Sequence, residues 1–310
     1  MPYLHNHDGN KFLIPRMTEI ISLIECEARG ALHPVNSKAT SWKSVSNYVA
    51  LAGTLGHLKV ENYIRQIMDL PQEEMRLNSS DRKLYDAIMA DAKQRDWLIE
   101  YMDTAFKNYM EFHEDFQPKY LHPEITMVYV HEEDGEIVPN RSVKGTVDLI
   151  CELDPEKMSP KALRIMPIKE VSTVLLDWKT GMAKLTGHHY QLEGYRWLLR
   201  VSGTLSRLIS EGTITKPFAK LNSEPYQAEL ALCVRLGGSF GYMADAYALD
   251  TGKFQEAREM FANPRMIVRT QNEKYGDRYF REGYHCVFCP YRDAGCPIFH
   301  VKTIQLEELY

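Results

Sequence analysis

The stretch Val171-Ser172-Thr173-Val174-Leu175-Leu176-Asp177-Trp178-Lys179 decides how this chain is read. Its apolar run from Val174 to Leu176 has the character of a buried strand, and Thr180-Gly181 follows as a turn. A strand's period of two sets Asp177 and Lys179 on one face and turns Trp178 to the other. A charged pair at the end of a buried strand needs a partner or a task. An isolated Asp-x-Lys is most plainly a strand-end salt bridge, so the surrounding residues decide what the pair means.

Upstream, Val143 to Leu153 reads as a second strand holding Gly145-Thr146-Val147-Asp148-Leu149-Ile150. Asp148 falls near its middle, where it can lie beside Asp177 on the sheet. Two carboxylates and one lysine then converge. Carboxylate oxygens hold Mg²⁺ or Mn²⁺, which polarises a phosphate and lowers the pKa of water, and a lysine neutralises charge developing on the phosphate. Downstream, the helix His188 to Arg200 carries Gln191 and Tyr195 four residues apart on one face, suited to contacting DNA or buttressing the site.

Working outward, Met17 to about Asp115 is helical in pattern: Met17 to Arg29 ended by Gly30, Ser46 to Met68 broken or bent near Gly53 and Gly56, and Leu84 to Phe116 as one long helix or a helix pair. Ile125 to His131 reads as a strand and Glu132 to Gly135 as an acidic turn. Pro155 to Lys169 reads as an inserted loop. Two further strands are expected at Ala228 to Leu236 and Tyr242 to Leu249, and a short helix at Phe254 to Phe261. The expected class is therefore α/β, a sheet flanked by helices. A helical section over 1–120, a core over 121–262 and a Cys-rich cap over 263–310 together make one compact domain.

Composition removes several classes. At 310 residues, 44% hydrophobic and 25% charged, the chain has a globular composition, not a disordered or collagen-like one. With 37 Lys and Arg against 42 Asp and Glu the net charge is −5, so a nucleic-acid surface has to be a local patch. No run approaches the ~18 apolar residues of a membrane helix, and Met1 to Arg16 lacks a secretory h-region. A cytoplasmic protein without a membrane partner is expected. No GxxxxGK[ST] loop occurs, so any unwinding would come from a helicase or recombination partner supplied in trans.

Six cysteines are too few for a disulfide scaffold at this length. Cys286, Cys289 and Cys296 form a compact metal-ligand cluster of three thiolates where a closed site wants four. Cys151 and Cys233 fall in expected buried strands, which leaves Cys26 as the remaining candidate. Just before that cluster, Arg265, Arg269, Lys274, Arg278 and Arg281 interleave with Tyr275, Tyr279 and Phe280. Cations track phosphates and rings stack on bases, so this stretch suits a single-stranded path.

In this order and at these separations, GTVDLI (145 to 150), DWKTG (177 to 181) and QLEGY (191 to 195) resemble the RecB-like exonucleases of the PD-(D/E)xK superfamily. GTLGHLKVE (53 to 61) is similar to that family's upstream helix with a metal-binding histidine, and Glu124 to an acidic position before its first strand. The resemblance implies a restriction-endonuclease-like core, with His57, Asp148, Asp177 and the main-chain carbonyl of Trp178 as metal ligands. It further implies Lys179 as the catalytic lysine, with Gln191 and Tyr195 beside it. One cysteine before the motifs and three after them resemble the iron–sulfur staple of AddB-type and CRISPR-associated RecB-like nucleases. That implies a 4Fe–4S cluster on Cys26, Cys286, Cys289 and Cys296, with zinc as the competing occupant. The activity so implied is metal-dependent hydrolysis of DNA from single-stranded ends. A DNA-binding scaffold and an endonuclease on the same fold are the competing readings.

Overall fold

In the computed structural model, residues 3–5, 11–25, 48–180, 188–214, 228, 230–249 and 252–263 are described. Cys26, Cys286, Cys289 and Cys296 and the stretch Arg265 to Arg281 lie outside them, as does the expected helix stop at Gly30. The elements run β1 (Tyr3–His5), β2 (Lys11–Leu13), α1 (Met17–Glu25), α2 (Tyr48–Ile67), α3 (Ser79–Ala90), α4 (Ala92–Phe116), β3 (Lys119–Tyr129), β4 (Glu132–Glu133) and β5 (Glu136–Ile137). After a 3₁₀ turn at Pro139–Arg141 come β6 (Val143–Leu153), α5 (Pro160–Ile165), β7 (Ser172–Lys179), α6 (His188–Val201), α7 (Thr204–Ser210), β8 (Leu230–Arg235), β9 (Met243–Ala248) and α8 (Gly252–Ala262). None of the described helices is long and apolar enough to cross a membrane.

The chain forms two compact units, one from residues 1–45, 127–145 and 251–310 and the other from 46–126 and 146–250. In the first, β1 pairs antiparallel with β2, β4 with β5, and α1 packs on α8.

A mixed, mostly antiparallel five-stranded sheet runs in the order β3-β6-β7-β8-β9. β6 and β7 are antiparallel with Leu149 opposite Leu176, β7 and β8 parallel with Asp177 opposite Cys233, and β8 and β9 antiparallel. In the second unit, Val174, Leu176 and Trp178 project from β7 into one cluster with Tyr109, Phe112 and Phe116 of α4. The Trp178 ring meets those of Tyr109 and Phe112 edge-on at 5.5 and 6.0 Å. A buried indole of this kind contributes roughly 4–6 kcal/mol of gross apolar burial. It anchors the end of β7, and the alternation then turns Asp177 and Lys179 to the opposite face.

Three expectations are corrected. α2 runs unbroken through Gly53 and Gly56, because these glycines serve a close approach: a Cβ on Gly53 would lie 2.9 Å from Thr180 Oγ1. Pro155 to Lys169 contains the helix α5, started by Ser159 Oγ accepting the Ala162 N–H and by Pro160 at the first turn. Six residues are too few to show a helical period. Ile125 to His131 belongs to a strand that begins earlier and ends earlier, at Lys119 and Tyr129. Of the two alternatives for Leu84 to Phe116 the pair is found. It is split at Asp91, whose carboxylate accepts the Gln94 N–H and caps α4.

Candidate metal centre

Four elements bring the charged residues together at the end of β7. On β7, Lys179 Nζ lies 2.6 Å from Asp177 Oδ2, the pairing that the strand period predicts. On β6, Asp148 Oδ2 accepts the Trp178 N–H at 2.6 Å, which locks the carboxylate to the neighbouring strand. From α2, His57 Nδ1 reaches to 3.8 Å from the same Asp148 oxygen. Glu124 completes the group: one ligand atom each from His57, Glu124 and Asp148 lie within 4.8 Å of one another. Glu124 sits on β3 with φ +52°, the left-handed region, which costs a non-glycine residue about 1–3 kcal/mol and concentrates at functional sites. The three residues and Lys179 line a cleft of about 820 Å³ that Glu73 and Arg76 also line.

On the α6 side, Gln191 Nε2 donates to Asp177 Oδ1 at 3.4 Å and to Tyr195 Oη at 2.6 Å. Both Asp177 oxygens therefore have partners, and Asp177 does not belong to the three-residue cluster. The Trp178 main chain makes a hydrogen bond with His57. Thus the structure joins His57 and Asp148 as expected, adds Glu124 to them, and sets Asp177 to hold Lys179. Cys233, read as a core cysteine, is buried and has its Sγ 3.8 Å from Asp177 Oδ2. No spacing signal marks it, because only the parallel register of β8 brings it there.

The electrostatics follow from burial and crowding. Burial, reinforced by the Lys179 charge, lowers the His57 pKa to about 4, so its imidazole is neutral and a free donor at neutral pH. Burial and then Glu61 raise Glu124 to about 7, and burial with the neighbouring Asp177 and Glu124 charges raises Asp148 well above the carboxylate range. Burial alone would lower Lys179, but Asp177 and Asp148 hold it above its ordinary value, so it stays charged. A neutral imidazole beside two carboxylates destabilised by their own crowding is a donor set that a divalent cation fits. The nitrogen ligand favours Mn²⁺ over Mg²⁺ within it.

Protons and cation compete there. With Glu124 and Asp148 raised, the cation-free fold binds more protons than the unfolded chain between about pH 4.5 and 7, so its stability falls as pH rises through that window. His57 acts in the opposite sense between 4 and 6.5 and offsets part of this. A bound cation takes the protons' place, so Mn²⁺ is expected to raise Tm much more at pH 8 than at pH 5.5. Equal shifts in thermal melts at both pH values would contradict the assignment.

No protein-family model matches the chain, and no curated protein matches it. Among solved structures, the crystal structure of SSO0001 aligns with 91% of this chain and 96% of that one, at 13% sequence identity and a TM-score of 0.31. A match at that TM-score assigns neither fold nor family.

Proposed function

We propose that the chain is a divalent-cation-dependent deoxyribonuclease of the PD-(D/E)xK type, an exonuclease acting on single-stranded ends. One observation carries this reading: the His57, Glu124 and Asp148 ligand atoms cluster within 4.8 Å in a cleft that also holds the charged Lys179. When bound, the cation supplies Lewis acidity toward a phosphodiester and lowers the pKa of water. The rest is the chain's own work. Asp177, 1% exposed and anchored by Gln191, holds the Lys179 ammonium at the cleft, where it offsets charge developing on phosphate oxygens. His57 stays unprotonated, and Asp148 is fixed by the Trp178 N–H.

The test is purified protein with Mn²⁺ or Mg²⁺ on end-labelled linear and on closed circular single-stranded DNA. Linear DNA should shorten progressively from one terminus while circles persist. Early linearisation of circles would establish an endonuclease, and tight binding without cleavage a scaffold. We propose also a 4Fe–4S cluster on Cys26, Cys286, Cys289 and Cys296. Anaerobically purified protein should contain iron and acid-labile sulfide, and Cys26→Ser should lose both. Zinc in their place, or indifference to Cys26, would overturn the staple.

A further inference from the structure

Lys179 is the last residue of its strand, where ladder bonds restrain a side chain least. Its backbone is nevertheless held from both sides by one helix. The Lys179 carbonyl accepts the Leu236 N–H at 2.8 Å. The Leu236 carbonyl in turn accepts from Asn108 Nδ2 of α4 at 2.6 Å, and the same nitrogen donates to the Gly238 carbonyl at 2.7 Å. On the other side, the Thr180 carbonyl accepts from Tyr101 Oη, also of α4, at 2.5 Å. Tyr101 and Asn108 are two helical turns apart and share a face. α2 closes the third side, with Gly53 and Gly56 against Thr180: a Cβ on Gly56 would lie 3.1 Å from Thr180 Cγ2.

The fold bears a cost for this bracket. Each mid-helix glycine gives up about 1 kcal/mol relative to alanine. Asn108, 2% exposed, commits its buried amide to two main-chain carbonyls rather than to a partner on its own helix. The glycines make room for Thr180, and Asn108 acts on the Lys179 carbonyl through Leu236.

We infer that Tyr101 and Asn108 are positioning residues for Lys179, fixing the two peptide units that follow it so that its ammonium stays beside Asp177 and in the cleft. The inference rests on the reading of Lys179 as the catalytic lysine. Neither residue touches substrate; each acts through the main chain.

Tyr101→Phe removes the hydroxyl and keeps the ring, which lies tilted against the Trp97 ring at 5.6 Å. Misplacement of a catalytic group by about 1 Å costs up to ~10²-fold, so kcat should fall by about tenfold or more while KM and Mn²⁺ affinity hold. Gly53→Ala, which drives a methyl toward Thr180, should lower kcat in the same way, and adding Thr180→Ala should restore it. An activity-independent measurement is the rate at which Lys179 is acylated by an amine-reactive ester, read by mass spectrometry. Tyr101→Phe should raise it severalfold and leave exposed Lys107 unchanged. A wild type inert on every nucleic acid would defeat the nuclease reading, while the acylation rates would still decide the positioning role. Unchanged kcat and Lys179 reactivity in Tyr101→Phe would overturn it. So would a kcat loss matched by lost Mn²⁺ affinity or lost secondary structure.

Discussion

Asp148→Asn is expected to abolish cation binding and cleavage together while leaving the cation-free fold as stable as the wild type, or more stable above neutral pH. Asparagine keeps an oxygen to accept the Trp178 N–H, so the hydrogen bond between β6 and β7 survives. It removes a carboxylate that burial and the Asp177 and Glu124 charges disfavour. Losing that charge relieves the crowding, yet it also takes one of three ligands from the His57–Glu124–Asp148 cluster. Calorimetric titration with Mn²⁺ should show no saturable site, and cleavage should drop by at least ~10³-fold if the cation carries the Lewis-acid part of the reaction. Wild-type turnover by Asp148→Asn would remove this carboxylate from the site.

Lys179→Ala should separate binding from chemistry. An ammonium is not a metal ligand, so Mn²⁺ affinity should survive. Turnover should fall by ~10²–10³-fold, the usual cost of deleting one donor aimed at developing anionic charge. Stability should fall too, because Asp177, whose side chain is 2% exposed, loses its ion-pair partner. Leaving a buried charge unpaired costs about 3–5 kcal/mol. Circular dichroism at the assay temperature separates this from unfolding. Loss of Mn²⁺ binding in a folded Lys179→Ala would contradict the role.

Half of the site was legible because a strand writes its geometry into its sequence. The alternation Asp177-Trp178-Lys179 alone puts the ion pair on one face and the indole in the core, and both are found there. That Gln191 and Tyr195 share one helical face was equally readable from their spacing, and the structure adds a hydrogen bond between them. What was not legible depends on tertiary approach. Glu124 joins the cluster through a left-handed backbone at that one residue, which no hydrophobic period announces. Gly53 and Gly56 carry the ordinary signature of a helix break, yet serve contact with a residue more than a hundred positions away. Cys233 joins Asp177 only because β8 runs parallel to β7, and strand direction is not written in either strand.

The first unit, drawn from three separated stretches of chain, imposes an order on translation. α1 leaves the ribosome early, with Met17 and Ile20, both buried in the finished fold, on its apolar side. The helix it packs on, Gly252–Ala262, is made last of all the described elements. At ~5–20 residues per second, α1 waits roughly 10–50 s for that partner. The residues of the second unit, by contrast, are complete once residue 250 has been added. The nascent protein therefore holds every residue of the second unit while α1 still lacks the helix it packs on, and a stop codon before residue 252 would leave α1 permanently without that cover.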